Sequence, residues 1–426
     1  MTDNELKEII ITQNEDFEKS NPEYVIREKI ADLDKLNDIP HAVILTGIRR
    51  SGKSILLKQI AHRYFPNENY YFLNFEDERL LDFTVKDFNR LYELFLELRG
   101  KKKAFLFDEI QAAEQWELFV RRMMDLGYKF YLTGSNASML SREIGTKLTG
   151  RYQNVELYPF SFPEYLDLKN IKVSKDTFFR TEKKVNIKRE FTAYLFEGGM
   201  PEYLNYHLTD ILNQTYNDIL YRDVAVRYNI IEVRLLKELA FFLLSNIGNL
   251  ISFNKLKNYF KVGSVNTIKK YISCLSDSYL LFTVNKFSFS VKTQLIAPKK
   301  VYCIDNGFVS SIAFRFSRNE GKYLENLIFI HLKRYSKEIF YYVTKSGKEV
   351  DFLLREGADK IILIQSTVSL SYPAVRKREL TALLEAIDEL GLGAGTIITR
   401  NEEETLSMHG KVIKVKPIYK WLLYEP

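Results

Sequence analysis

The segment Gly47-Ile48-Arg49-Arg50-Ser51-Gly52-Lys53-Ser54 has two glycines separated by four residues and followed by lysine and serine, the spacing of a phosphate-binding loop. The glycines let the backbone close round a phosphate chain. The N–H groups running from Gly47 through Arg49, Arg50, Ser51 and Gly52 to Ile55 then face the anion at the start of a helix. Lys53 is expected to reach the β- and γ-phosphates of ATP, and Ser54 to hold Mg²⁺. A second chemical pair, Asp108-Glu109, closes the apolar run 104–107. There Asp108 would orient the Mg²⁺ shell, and Glu109 would act as general base on the attacking water. Asn136 follows another apolar run, 129–133, where it would hydrogen-bond the γ-phosphate or that water. Arg151, a better candidate than Arg142, would stabilise the transferring charge as an arginine finger. Such an arginine often comes from a neighbouring subunit, which makes a homo-oligomer an expectation.

These residues need a scaffold that brings strand ends together. The runs 42–46, 70–75, 104–107, 129–133 and 154–157 have strand character, and helix-patterned segments at 82–98 and 115–126 alternate with them. Alternation of this kind builds a parallel sheet whose ligands bind at the C-terminal ends of its strands. An amphipathic helix around Ile30 to Leu33 leads into the first strand, while the residues before it read as polar and weakly helical. The fold class is therefore α/β, in several domains.

The chain has 426 residues, 46% hydrophobic and 27% charged, which suits a multidomain globular protein and excludes a disordered one. A net charge of +7 permits an acidic partner such as DNA without requiring it. Cys274 and Cys303 stand alone, so a structural zinc site is not expected. With no bilayer-length apolar run and no secretory pattern at the start, a cytoplasmic location without membrane contact is the expectation.

Further along, 161–228 reads as mostly helical, with a lysine-rich loop over 170–188. The stretch 254–275 then reads as helix-turn-helix, and 279–284 with 300–304 as a two-stranded wing. Lys269 and Lys270 on the second helix, and Lys292, Lys299 and Lys300 near the wing, suit phosphate contacts with nucleic acid. Near the C-terminus, Glu325 on a helix, Asp351 on a strand and the strand-end Gln365-Ser366-Thr367 resemble a restriction-endonuclease pattern of Asp, strand, Glu-x-Lys. In that chemistry two carboxylates hold Mg²⁺ and lysine stabilises the nucleophilic hydroxide. Gln365 stands in the carboxylate position and Thr367 in the lysine position, so nuclease activity is not expected.

The order LTGIRRSGKS, LFDEIQ, YLTGSNAS, LTGRYQNVELYPFSFPEYL and EGGMPEYL resembles a prokaryotic AAA+/STAND-type ATPase family with a winged helix and a restriction-endonuclease-like C-terminal domain of unknown function. The resemblance implies a sensor role for Asn136 and a lid element at Gly198-Gly199-Met200-Pro201, with Gly199 and Pro201 near nucleotide. It implies four parts: 1–165, an N-terminal helix and ATPase core; 166–235, a helical lid; 236–315, a winged helix; and 316–426, the nuclease-like domain. The expected function is an ATPase coupling nucleotide state to DNA binding or remodelling. A nucleotide-dependent signalling scaffold and an ATP-gated nuclease are the alternatives.

Overall fold

Short apolar runs bounded by turn residues cannot make stable helices, and in the first part of the chain they become buried parallel strands. The computed structural model describes residues 1–19, 25–135, 148, 150–313, 319–336, 338–357 and 360–424. The chain divides into two compact units, Met1–Tyr158 and Pro159–Pro426.

In unit 1 the strands among the described residues are β1 (Ala42–Thr46), β2 (Tyr70–Asn74), β3 (Ala104–Asp108), β4 (Lys129–Gly134) and β5 (Tyr152–Glu156). They pair in parallel in the order β2-β3-β4-β1-β5. Alternate side chains feed two cores. Ile44, Leu73, Phe105, Phe107 and Leu132 pack on one face, and Val43, Leu45, Phe72, Leu106 and Tyr131 on the other. Burial on both faces is why these strands are apolar throughout instead of alternating.

The α-helices of this unit among the described residues are α1 (Asp3–Lys19), α2 (Lys29–Asn37), α3 (Lys53–Tyr64), α4 (Asp87–Arg99) and α5 (Trp116–Asp125). The sequence underrated α1. Its Leu6, Ile9 and Ile10 join the first core, and Phe17 stacks on Phe72 with ring centroids 3.9 Å apart. Helical spacing of those four residues is visible in hindsight, but the charged residues between them lowered the apparent hydrophobicity.

Unit 2 contains a mixed sheet, described as nine strands: β6 (Leu250–Ile251), β7 (Leu281–Lys286), β8 (Lys299–Cys303), β9 (Ile339–Val343), β10 (Glu349–Glu356), β11 (Lys360–Ser366), β12 (Ala394–Thr399), β13 (Glu404–Met408) and β14 (Lys411–Pro417). Their order is β13-β14-β12-β11-β10-β9-β7-β8-β6. Parallel pairing of Asn285 with Phe340 and of Lys286 with Tyr341 joins into one sheet strands from the two parts that the sequence suggested as separate domains. The helix Thr181–Glu197 begins inside the expected loop 170–188. Among the described residues no helix is long and apolar enough to cross a membrane.

Candidate nucleotide site

The loop after β1 turns on conformations that side chains resist. Gly47 has φ 153° and Gly52 φ 96°, while Arg50 adopts φ 62° between them. A Cβ on Gly47 would lie 2.2 Å from the carbonyl oxygen of Leu157. That carbonyl is fixed, because the Leu157 N–H donates to the Thr46 oxygen at 2.7 Å. The two glycines are thus required by the backbone's own geometry, and the resulting bend carries the chain into α3 with Lys53 as its first residue.

Inside the bend, Ser51 is fully buried and its Oγ has no hydrogen-bond partner among the described residues. Lys53, only 5% exposed, donates from Nζ to the carbonyl oxygens of Gly47 and Ile48 at 3.2 Å each. A buried ammonium held by two long hydrogen bonds, beside an unpartnered hydroxyl, is the donor set that a phosphate chain would satisfy. Arg49 and Arg50 are half-buried at the mouth, with Arg49 3.7 Å from Glu76.

Asp108 ends β3 and is buried, and its carboxyl is pushed upward by burial and then by the adjacent Glu109. The hydroxyls of Thr133 and Ser54 both bond to it and oppose that shift. Ser54 is exposed at the start of α3, so Ser54 and Asp108 are the pair that would hold Mg²⁺. Glu109 follows with φ 49°, an uncommon conformation for a side-chain-bearing residue, and stands 3.9 Å from Lys53 Nζ. Its N–H donates to Thr133 Oγ1 at 2.9 Å, and Gln111 Nε2 donates to its Oε2. The site therefore joins the ends of β1, β3 and β4.

Three contributors escaped the sequence. Thr133 bridges the two acidic residues, and its position at the end of an apolar run was the available signal. Gln111 fixes one oxygen of Glu109. Arg27 is 2% exposed and donates to the carbonyl oxygens of Ser51 at 2.7 Å and Tyr158 at 2.6 Å, clamping the loop from behind. No spacing pattern reveals it, because its acceptors are backbone groups distant in sequence.

Arg151 requires correction as a residue of this chain's own site. Its carbonyl accepts from Ala42 N–H at the start of β1, at the sheet edge opposite the loop, and its guanidinium pairs with Asp125 at 2.7 Å. Five strand residues, about 16 Å, separate the two edges. Asn136 and Arg142 lie outside the described residues.

Gly199 and Pro201 belong to unit 2. A Cβ on Gly199 would meet the Phe160 carbonyl oxygen at 2.2 Å, and the Gly199 N–H donates to buried Asp305 at 2.6 Å. Pro201 starts the helix Pro201–Tyr206. Close backbone approach thus accounts for these residues without a phosphate. Burial pushes the Asp305 carboxyl up to about 7, against the N–H groups of Gly199 and Gly307.

Also in unit 2, Lys269, Lys270 and Lys292 are exposed and Lys299 is half-buried. Lys269 and Lys299 share the lining of a small cleft, and burial followed by the charge of Lys269 lowers the Lys299 pKa. Lys300 departs from the expected role. It is 1% exposed and bonds to Glu325 and Asp351, so it is a buried ion-pair residue instead of a phosphate contact. Burial opposes its charge, yet Asp351, Tyr302, Glu325 and Glu349 together hold the ammonium well above its ordinary pKa. Gln365 neighbours this group through Asp351, and Thr367 lines the adjacent cleft.

Residues 40–166 match the model of the AAA domain. The following stretches, 188–319 and 320–421, match two domains of unknown function, DUF8612 and DUF4143. Across nearly its whole length the chain is similar to the uncharacterized protein MJ1544 of Methanocaldococcus jannaschii, with 34% identity covering 95% of this chain and 93% of that one. The chain belongs to the MJ1544 family. An uncharacterized protein of Haemophilus influenzae, 31% identical, covers 78% of this chain and is covered to 83%. Among solved structures, a Signal Transduction ATPase with Numerous Domains (STAND) protein with a tetratricopeptide repeat sensor, PH0952 from Pyrococcus horikoshii, is 14% identical with a TM-score of 0.28. This chain spans about half of its length: the match covers 75% of this chain and 47% of that one. Unit 1 is therefore a P-loop domain of the AAA type.

The Arg27 clamp yields a direct expectation. A hydrogen bond from a charged donor contributes about 1.5–3 kcal/mol, so Arg27→Ala should cost unit 1 roughly that much stability or more. It should also weaken ATP binding by about tenfold or more, since the loop loses its support. Urea unfolding and calorimetric ATP titration check both effects. Unchanged affinity in a folded variant would show that the clamp does not hold the loop.

Proposed function

We propose that unit 1 binds ATP with Mg²⁺ and hydrolyses it. The observation that carries this reading is the convergence of Lys53, Asp108 and Glu109 on one bend, with Glu109 3.9 Å from Lys53 and the buried Ser51 hydroxyl unpartnered. Mg²⁺, when bound by Ser54 and Asp108, would supply positive charge to the phosphate oxygens. Lys53 would exchange its bonds to Gly47 and Ile48 for phosphate oxygens. Glu109, oriented by Gln111 and tethered through Thr133, would take the proton from the attacking water as that water displaces the terminal phosphoryl group. Arg151 could assist only at a neighbouring copy's site, so that part of the reading requires a homo-oligomer.

We further propose that unit 2 binds DNA, with nucleotide state modulating the affinity. The element order helix, β6, helix, helix, β7, a short helix Val291–Ile296, then β8 over Val233–Cys303 supports a winged-helix reading. Lys269 and Lys299 lining one cleft supports phosphate contact there. The strand and helix arrangement round Glu325 and Asp351 is read as restriction-endonuclease-like.

Two experiments test these proposals. Lys53→Ala should abolish nucleotide binding, whereas Glu109→Gln should retain ATP while losing about 100-fold or more in turnover. Filter binding and steady-state phosphate release distinguish them, and a Glu109→Gln enzyme at full rate would remove the general base from the account. For DNA, the charge reversals Lys269→Glu and Lys270→Glu together should lower affinity uniformly across sequences. They should also flatten the slope of log K against log salt by about 2. Fluorescence anisotropy with duplex and single-stranded DNA reads this, and an unaltered slope would set the DNA reading aside.

A further inference from the structure

The nuclease-like pattern calls for a divalent metal between Glu325 and Asp351, but the residues present do not fit one. Lys300 rises from β8 with its Nζ 2.8 Å from Glu325 Oε1, 2.7 Å from Glu349 Oε1 and 2.9 Å from Asp351 Oδ1. An ammonium has three N–H donors; two bonds run to Glu325 and Asp351, and Glu349 adds a third carboxylate at ion-pair distance. The second oxygens of Glu325 and Asp351 are occupied as well. Lys322 Nζ lies 3.1 Å from Glu325 Oε2, while Asp351 Oδ2 accepts from the Ser366 N–H at 2.9 Å and the Ser366 hydroxyl at 2.7 Å. Tyr302 adds a hydroxyl bond to Glu325 Oε1 at 2.9 Å.

Gln365, the residue in the missing carboxylate's position, is turned to other work. Its Oε1 accepts from the Asp351 N–H at 3.0 Å, and its Nε2 donates to Glu379 at 2.6 Å. Mg²⁺ needs near-octahedral oxygens at about 2.1 Å and gives up water reluctantly. In this cluster it would have to expel a 1% exposed ammonium to gain two or three oxygens that are already bonded.

We propose that Lys300 is the resident cation of this cluster, its ammonium standing where a divalent metal would otherwise sit, so that the cluster is metal-free and β8 is tied by charge to β10 and the helix Glu320–Tyr335. The inference does not depend on the nucleotide reading, because it concerns other residues and is tested without ATP. It differs also from mere loss of ligands, since it assigns the site an occupant.

The test uses the full chain, free of nucleotide, with Mn²⁺ followed by electron paramagnetic resonance and thermal melting. Wild type and Asp351→Asn should give the same Mn²⁺ titration, because neither offers a metal site in this cluster. Lys300→Ala leaves buried carboxylates uncompensated and should melt roughly 10 °C lower. It should then gain one Mn²⁺ site and recover stability in millimolar Mn²⁺, with both gains absent from Lys300→Ala/Asp351→Asn. Mn²⁺ binding by wild type that Asp351→Asn removes would overturn the proposal, placing Lys300 beside a metal instead of in its stead. A folded Lys300→Ala chain that acquires no Mn²⁺ would overturn it too. Should Lys300→Ala fail to fold, the comparison of wild type with Asp351→Asn decides. Glu349→Gln, whose side chain is already 35% exposed, replaces Asp351→Asn if that variant is unstable.

Discussion

A Cβ on Gly47 would stand 2.2 Å from the Leu157 carbonyl oxygen, and the candidate site depends on that approach. Because β5 pairs with β1 and the Leu157 N–H holds the Thr46 oxygen, the chain leaving β1 has a single route, tight against the β5 end. That route makes the bend, and the bend sets Lys53 at the first turn of α3. Arg27 then closes the rear of the loop. The acidic side of the site is fixed separately, by β3 and β4, with Thr133 bonded to both Asp108 and Glu109. Two independently supported halves meet at one strand edge, which is how a parallel sheet gathers residues from distant sequence positions.

The two buried charge clusters illustrate opposite solutions to the cost of desolvation. Round the loop, Lys53 makes two long bonds to backbone oxygens and the Ser51 hydroxyl has no hydrogen-bond partner among the described residues, so an anion would complete the arrangement. Round Lys300, three carboxylates surround one ammonium, and the remaining oxygens of Glu325 and Asp351 already have donors. The first cluster is poised for a ligand. The second is self-satisfied, and an isolated buried charge there would be heavily penalised.

Much of unit 1 was legible because its strands are fully buried and its loop has a fixed spacing. The ends of β1, β3 and β4, and the joining of Lys53 with Asp108 and Glu109, follow from apolar runs and motif order. The Arg27 clamp was not legible, since guanidinium-to-carbonyl contacts leave no periodic trace. Arg151 stands away from this chain's own site for a related reason: preceding a strand places a residue at the N-terminal edge of a parallel sheet, away from the ligand edge. In unit 2, Lys300 reads in sequence as one of several surface lysines, and only pairing of β8 with β7 and β6 reveals its inward direction. β6, with two residues, and the edge strand β13, with alternating burial, carry signals too weak to register.

The central claim is that the loop, the acidic pair and Mg²⁺ form a hydrolytic site. The most direct measurement is release of labelled phosphate from γ-labelled ATP by the unmodified chain, compared in excess Mg²⁺ and in excess EDTA. The account predicts release that requires Mg²⁺. Bound ATP recovered intact after long incubation with Mg²⁺, alone and with DNA, would contradict it.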